Sequence, residues 1–220
     1  MIKELETDNF LSLHWLEKYL IGHKGFVCGG CFKNIFNGQK VKDIDVFFSD
    51  SIEWQKAVDY FDKRTVGYGF DGEKTTEENA EYRFHYENDK VKAYKDKKTG
   101  VVVELCRSVF GSPKEIIERF DFTITKFAYY KEEEKDENTG ETHIYSKILC
   151  DDKFFEHLHL KRLVIDDKIL FPMSTFERVL RYAKYGYFPC KETKLKLAKA
   201  IQEMSPEAIV TSDSLYDGVD

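Results

Sequence analysis

The fold is decided by one stretch, Val27-Cys28-Gly29-Gly30 followed, after twelve intervening residues, by Asp43-Ile44-Asp45-Val46-Phe47-Phe48. Alternate side chains of a β-strand point to the same face. Asp43 and Asp45 therefore share one face, while Ile44 and Val46 point into a core. Paired carboxylates on a strand are suited to clamp a divalent cation. Ordinary half-exposed strands also carry this pattern, so its interpretation depends on the rest of the chain.

The glycine pair upstream supports the clamp. Gly29 and Gly30 allow a backbone turn to approach a phosphate closely. The next residues show helix spacing in Phe32, Ile35 and Phe36, and a helix that begins here would direct free N–H groups at an anion. A phosphate-binding turn before a strand with two carboxylates predicts a site of nucleotidyl transfer.

Nucleotidyl transfer requires a third carboxylate on a neighbouring strand, because two hard cations must be bridged and two aspartates seldom suffice. Glu104 lies in the segment 101–107, which has the most convincing strand pattern, and Asp121 is the alternative. We therefore expect two Mg²⁺ ions, with Mn²⁺ as the alternative metal, at Asp43, Asp45 and this third carboxylate.

The remaining pattern predicts a mixed sheet with helices, an α/β (α+β) fold. The predicted segments are an opening α-helix at 9–21, strands at 25–28 and 43–48, a helix at 51–62, strand-like segments between 65 and 105, a helix after Ser112-Pro113, strands at 121–130 and 142–149 joined by a charged loop at 131–140, a helix begun by a Ser174-x-x-Glu177 capping box, and a helix at 191–204. A turn at 205–207 and a frayed acidic tail from Thr211 complete the chain.

Several of these segments resemble one family. The glycine pair and the Asp-x-Asp strand resemble the signature of the DNA polymerase β superfamily of nucleotidyltransferases. Residues 119–129, Arg-Phe-Asp-Phe-Thr-Ile-Thr-Lys-Phe-Ala-Tyr, resemble the Arg-Arg-Asp-Phe-Thr-Ile-Asn-Ala-Met-Ala-Tyr motif of CCA-adding enzymes and bacterial poly(A) polymerases. Residues 103–107, Val-Glu-Leu-Cys-Arg, resemble the strand that precedes this motif. The resemblance gives Glu104 the place of the third carboxylate and implies that Arg119 and Asp121 contact the nucleotide sugar and phosphates.

A further segment, 175–187, resembles the nucleotide-binding helix of the same enzymes. The resemblance implies that Arg178 and Arg181, three residues apart on one helix face, bind the incoming nucleotide. Judged from the residues alone, both arginines are typical of a solvated helix surface. The expected nucleotide-binding set is completed by residues in the other motif segments: Gly29, Gly30, Lys33 and Arg107.

The chain departs from this family at several positions. Met173-Ser174-Thr175 stands where the family has Glu-Asp-Pro, Phe120 replaces the second arginine of the Arg-Arg-Asp motif, and Thr125-Lys126 replaces Asn-Ala. A fixed choice of CTP and then ATP is therefore not expected. The resemblance covers roughly residues 10–190, so we expect residues 1–150 to form a nucleotidyltransferase head and 151–220 a helical neck, without a substantial body to hold a tRNA.

Composition indicates a globular protein. Of the 220 residues, 42% are hydrophobic and 15% are aromatic, which is enough to form a core. No apolar run reaches the ~18 residues that span a bilayer, and the N-terminus lacks a signal-peptide core, so no membrane partner and a cytoplasmic location are expected. The odd number of cysteines fits reduced thiols, and Cys28-x-x-Cys31 lacks a second pair that would complete a zinc site.

Charge is distributed unevenly along the chain. The formal net charge is −6, yet residues 151–200 carry 11 Lys and Arg against 7 Asp and Glu. A polyanion such as RNA would bind this region most readily by charge alone.

The activity expected from the motifs is metal-dependent transfer of a nucleoside monophosphate from an NTP to a hydroxyl, with RNA, such as a tRNA 3′ end, as the first acceptor. The alternatives are a compact stand-alone nucleotidyltransferase that modifies a protein or small molecule in a toxin, defence or resistance role, and an inactive nucleotide-binding module.

Overall fold

The computed structural model describes residues 1–70, 73–136, 140–165 and 169–205. The predicted turn beyond Ser205 and the predicted frayed tail from Thr211 lie outside the described residues. In chain order the elements are β1 (Ile2–Leu5), two 3-10 helices (Thr7–Asn9 and Leu11–Leu20), β2 (Phe26–Cys28), α1 (Cys31–Phe36), β3 (Asp43–Phe47), α2 (Ser51–Asp62), β4 (Gly69–Phe70), β5 (Glu73–Lys74), β6 (Tyr82–Glu87), β7 (Val91–Asp96), β8 (Val102–Cys106), α3 (Pro113–Glu118), a 3-10 turn (Thr123–Thr125), β9 (Phe127–Lys135), β10 (Thr142–Asp151), α4 (Phe154–His159), β11 (Arg162–Leu163), α5 (Pro172–Ala183), β12 (Phe188–Pro189) and α6 (Lys191–Gln202).

The main sheet is mixed, which confirms the predicted fold class. Across the described ranges its eight strands lie in the order β1-β10-β9-β2-β3-β8-β7-β6. Strands β3 and β8 pair in parallel, and the other neighbours pair antiparallel. The strand with the two aspartates therefore lies inside the sheet, between β2 and β8.

The two faces of the sheet have different coverings. Ile44 and Val46 of β3 point into the large apolar core, together with residues of the Leu11–Leu20 helix, α1 and α2. On the opposite face, Phe47 belongs to a smaller apolar cluster that includes Ile116 and Ile117 of α3. Because side chains alternate along a strand, both aspartates of β3 lie on the face of the smaller cluster.

The C-terminal helices pack against the same large core. Val179 and Tyr182 of α5 and Leu197 of α6 are buried in it. The predicted boundary between head and neck falls at the end of β10, and the division of the chain into these two units stays a prediction. In the part of the chain that the structure describes, no helix has both the length and the apolar composition needed to cross a membrane.

Two helices begin at caps that follow from the sequence. The Asp50 carboxylate accepts the backbone N–H groups of Ile52 and Glu53 at 2.9 Å each, which stabilises the first turn of α2. At α3 the Ser112 side chain and the Glu115 side chain form a capping box, with proline in the first turn.

The first long helix is a 3-10 helix, although an α-helix was predicted there. Leu13, Leu16 and Tyr19 are fully buried at a spacing of three residues. A 3-10 helix has three residues per turn, so this spacing places all three side chains on one line against the core. The short edge strand β1 was not predicted, because its four residues, Ile-Lys-Glu-Leu, do not alternate between apolar and polar side chains.

The predicted charged loop at 131–140 is wrong over its first half. Strand β9 continues to Lys135, and residues 131–135 pair with β10 from Ser146 to Thr142. Ion pairs connect β10 with its neighbours on both sides. Lys147 Nζ lies 3.2 Å from a carboxylate oxygen of Glu134 on β9 and 3.4 Å from one of Glu4 on β1. The charged residues therefore form a solvated strand, whose backbone groups are satisfied by pairing.

Two other boundaries differ from the sequence prediction. The strand predicted at 121–130 begins only at Phe127, because a 3-10 turn occupies Thr123–Thr125. Helix α5 begins at Pro172, so Ser174 lies within the helix and is buried, and the predicted Ser174–Glu177 capping box was wrong. Proline at the start of a helix lacks only an N–H that would have no partner there, which explains the earlier start.

Candidate active site

The carboxylates of β3 and β8 form a row across the sheet. In the parallel register Asp45 lies opposite Glu104, and Asp43 lies opposite Val102. Residues in register on neighbouring strands present their side chains to the same face. Asp43 is exposed and the other two carboxylates are half-buried, so the row is accessible to solvent.

The glycine turn lies directly beside this row. Gly29 has a φ of +95°, a conformation that side chains other than hydrogen disfavour, and its N–H donates to the Phe127 carbonyl at 3.2 Å. Gly30 precedes α1, and a Cβ atom there would lie 3.1 Å from the Tyr182 hydroxyl of α5. The first glycine is thus favoured by its backbone conformation, whereas a side chain at the second would crowd the Tyr182 hydroxyl of α5.

A cleft runs from the glycine turn and the aspartates to α5. It is lined by Gly30, Cys31, Lys33, Asn34, Lys42, Asp43, Asp45, Arg181, Tyr182 and Tyr185. The structure therefore brings the predicted residues Gly30, Lys33 and Arg181 together with both aspartates of β3.

Lys33 is the buried cation of this cleft. Its ammonium lies 4.6 Å from the ring centroid of Tyr185 and donates to the Asn34 side chain. Burial, followed by the nearby charge of Lys161, lowers the pKa of Lys33, whereas the charge of Asp43 opposes this shift. An anion bound in the cleft would stabilise the charged form of this ammonium and so oppose the lowering of its pKa.

Arg178 and Arg181 lie in different surroundings. Arg178 Nη1 donates to Asp121 Oδ2 in an ion pair whose residues are only 6% and 7% exposed. Arg181, one helical turn later, is exposed and lines the cleft. The buried pair joins α5 to the segment after α3, so Asp121 faces Arg178, whereas Glu104 stands next to Asp45.

The other two predicted arginines lie elsewhere. Arg107 donates to the Glu87 carboxylate at 3.0 Å and to backbone carbonyls of the β6–β7 turn, and its guanidinium lies 5.1 Å from the ring centroid of Trp54. Arg119 is exposed at the C-terminal end of α3. Neither belongs to the residues that line the cleft. Their proposed contacts with the nucleotide stay predictions.

Two thiols flank the glycine pair. Cys28 and Cys31 are buried, and burial raises the pKa of both thiols well above the ordinary range. The negative charge of Asp45 raises both further. The thiols are therefore neutral packing groups.

The family of the protein follows from a comparison over most of its length. Residues 4–161 match the Gad2 family, described as Gabija anti-defense 2 family protein. The chain belongs to the Gabija anti-defense 2 family. No curated protein matches this family member in sequence.

Solved structures similar to this Gabija anti-defense 2 family member are nucleotidyltransferases. A CCA-adding enzyme in apo form I aligns with a TM-score of 0.58 at 15% identity, over 96% of this chain and 49% of that chain. A CCA-adding enzyme in complex with ATP gives 0.58 at 14% identity, over 97% and 49%. A tRNA nucleotidyltransferase complexed with a primer tRNA and an incoming ATP analog gives 0.50 at 18% identity, over 87% and 50%. The chain spans about half the length of these structures, and the likeness shows that it has a nucleotidyltransferase fold.

The carboxylate row of this family member has the right donors for a hard divalent cation. Mg²⁺ prefers carboxylate oxygens, keeps several waters and is commonly bound through one or two carboxylates plus substrate phosphates. Asp43 and Asp45, on one face beside an accessible cleft, fit that requirement. Within the described ranges, no group of three or more His, Cys, Asp or Glu side chains is gathered tightly enough to hold an ion. Glu104 is therefore not gathered with the two aspartates into a closed three-carboxylate clamp, and the expected metal set stays a prediction.

Tyr86 is a member of the row that the sequence analysis missed. Its hydroxyl donates to Glu104 Oε1 at 2.7 Å. Burial raises the pKa of the Tyr86 hydroxyl, and the hydrogen bond and charge of Glu104 raise it further, with a contribution from Asp45. Neither the spacing nor the motifs single out Tyr86, because its position depends on an irregularity in β6.

Proposed function

We propose that this protein is a nucleotidyltransferase that moves a nucleoside monophosphate from an NTP to a hydroxyl group and releases pyrophosphate. One observation carries the proposal: Asp45 and Glu104 are in register on adjacent parallel strands, with Asp43 on the same face. The nucleotidyltransferase fold of the similar solved structures supports it.

The carboxylates and the cations of the site have different proposed roles. Asp43, Asp45 and Glu104 would hold two Mg²⁺ ions, or Mn²⁺ instead. Bound there, the ions would polarise the α-phosphate and neutralise the departing pyrophosphate. Lys33 and Arg181 supply positive charge along the cleft for the triphosphate.

The choice of nucleotide follows from the environment of α5. The guanidinium of Arg178 is held by Asp121, so Arg181 is the arginine of this helix that faces the cleft. One exposed arginine suits a phosphate better than the donor and acceptor pattern of a particular base. The pair of arginines expected to bind the incoming nucleotide does not line the cleft together, and we propose that the enzyme uses one NTP, or one class of base, instead of building an ordered C-C-A end.

The acceptor is proposed from the family description. An anti-defense protein opposes a defence system, and a covalently attached nucleotide changes both the charge and the shape of its target. We propose an acceptor hydroxyl on a component of the Gabija defence.

An RNA acceptor is the second candidate. It is favoured by exposed cations that α5 and α6 present in the predicted basic region: Arg181, Lys184, Lys191, Lys194 and Lys199. Such a surface attracts polyanions by charge alone.

The test uses NTPs labelled at the α-phosphate. The purified protein, Mg²⁺ and each NTP are incubated with extracts of cells that contain or lack the Gabija system. We expect label in a macromolecule of the Gabija extract, lost on protease treatment and absent with Asp45→Asn. Ribonuclease-sensitive label in both extracts would support the RNA acceptor. NTP binding without transfer to any fraction would contradict the enzyme and support the inactive nucleotide-binding module.

A further inference from the structure

Strand β6 contains a β-bulge that changes the direction of one side chain. Phe84 pairs with Tyr94 of β7, whereas Tyr86 pairs with Ala93, so the register shifts between them. In a regular strand, Phe84 and Tyr86 would share a face. The extra residue, His85, places them on opposite faces.

The bulge directs Tyr86 to the carboxylate row. Tyr94 is buried in the large core, on the face away from the aspartates. Ala93 pairs on its other side with Glu104, so the row continues from Asp45 through Glu104 and Ala93 to Tyr86. A residue that would otherwise lie on the face of the large core therefore lies beside the carboxylates of the row.

The small side chain of Ala93 makes the contact possible. Strands lie ~4.8 Å apart, so two spacings separate Tyr86 from Glu104 by roughly 10 Å. The phenol reaches past the Ala93 methyl group, and its hydroxyl donates to Glu104 Oε1 at 2.7 Å. The ring packs against the smaller apolar cluster of this face, which fixes its direction.

We propose that Tyr86 is an acceptor hydroxyl within its own active site and that the protein nucleotidylates itself there. This inference rests on the proposed function. A hydroxyl already in contact with a carboxylate of the site is what the transfer requires of an acceptor. The Tyr86 Oη–Pα bond forms, the bond from Pα to the oxygen that bridges to the β-phosphate breaks, and pyrophosphate leaves. The phenolic proton is released to solvent water, and the product is a phosphodiester between tyrosine and nucleoside.

Self-modification would limit the enzyme. A nucleotide attached to Tyr86 occupies the space beside Glu104 that the hydroxyl of a separate acceptor needs. The two reactions therefore compete for one position, and the modified protein should transfer no further nucleotide.

The test needs only the full chain, Mg²⁺ and each NTP labelled at the α-phosphate, without a separate acceptor. Tryptic cleavage after Arg83 and Lys90 releases the peptide 84–90, Phe-His-Tyr-Glu-Asn-Asp-Lys, which contains one tyrosine and neither serine nor threonine. We expect the nucleotide adduct on this peptide. The adduct should survive dilute acid, unlike a phosphoramidate on His85.

Matched variants locate the reaction. Tyr86→Phe should abolish the adduct, whereas Tyr145→Phe, which changes a half-exposed tyrosine on β10, should retain it. The labelled fraction per minute should not depend on protein concentration, because donor and acceptor belong to one molecule.

Four results would overturn the inference. An unlabelled 84–90 peptide, in a protein that labels an added acceptor, would refute self-modification and leave the proposed function standing. Label on this peptide that persists in Asp45→Asn would show that the active site does not form the adduct. A labelled fraction per minute that rises in proportion to protein concentration would assign the transfer to a second copy. Label in no acceptor at all, the protein included, would instead refute the proposed function, and this inference with it.

Discussion

At the scale of single residues, the structure separates side chains that the sequence places together. Arg178 and Arg181 have the same spacing, charge and family resemblance, yet one lies in a buried ion pair and the other lines the cleft. Their difference depends on the position of Asp121, which is 57 residues earlier in the chain. Helix periodicity contains no information about such a distant partner.

Arg178→Ala should mainly lower stability, whereas Arg181→Ala should mainly weaken the use of NTP. Arg178→Ala removes the guanidinium that neutralises the buried Asp121 carboxylate, so the free energy of unfolding should fall by about 3–5 kcal/mol. Arg181→Ala should change stability by less than ~0.5 kcal/mol, as expected for a surface substitution, and raise the KM for NTP. Urea unfolding and steady-state kinetics measure the two effects. Equal stability of both variants would contradict the structural role of Arg178.

Gly29→Ala tests the turn beside the aspartates, with Gly38→Ala as its control. Both glycines have positive φ, +95° and +64°, so either substitution should cost about 1–2 kcal/mol of stability through backbone strain. Gly38 follows α1 and has open space around it. Only Gly29→Ala should also reduce nucleotide transfer, and equal activities of the two variants would argue against a role for this turn.

At the scale of elements, local sequence patterns predict the helices that have clear caps and periodicity. They miss features of strands that depend on the neighbouring strand. Helix α2 was predicted at its observed bounds because cap, spacing and length agree. The bulge in β6 and the continuation of β9 through a charged run were missed, because a neighbouring strand determines both. The same limit applies to the site: the aspartates of β3 and Glu104 follow from the motifs, whereas Tyr86 depends on the bulge.

Asp96 joins the Leu11–Leu20 helix to the turn between β7 and β8. Its carboxylate accepts hydrogen bonds from Lys18 at 2.6 Å and Tyr19 at 2.8 Å, and from the backbone N–H of Lys98 at 2.8 Å. Burial alone would raise its pKa, but these bonds outweigh burial and lower the pKa of Asp96 to about 2.

The lowered pKa of Asp96 predicts how the free energy of unfolding depends on pH. A lowered carboxylate pKa contributes stability above the unfolded-state pKa of ~3.9, and this contribution is lost as pH falls towards 2. Its size is about 2 kcal/mol. Urea unfolding of the wild type and Asp96→Asn should therefore give a stability difference that narrows between pH 5 and pH 2. A difference that stays constant over this range would contradict the assignment.

At the scale of the whole molecule, the mixed sheet brings together residues from distant parts of the chain. The aspartates of β3 and Arg181 of α5 line one accessible cleft, and Glu104 of β8 stands beside Asp45. The sequence motifs predicted the fold class and the family resemblance, because glycine turns and alternating carboxylates leave a local signature. The packing of α5 against the glycine turn leaves no such signature, because it depends on the large core shared by both parts of the chain.

The central claim is that Asp45 and Glu104 act together in nucleotide transfer, and Mg²⁺-dependent release of pyrophosphate from NTP measures it most directly. Wild type, Asp45→Asn, Glu104→Gln and Asp121→Asn are compared, each with its melting temperature. Asp45→Asn and Glu104→Gln should reduce turnover by roughly 100-fold or more without loss of thermal stability. Asp121→Asn should mainly lower the melting temperature, because it leaves Arg178 buried without its charge partner. An Asp45→Asn protein that releases pyrophosphate at nearly the wild-type rate, or an Asp121→Asn protein that is stable but more impaired than Glu104→Gln, would contradict this account.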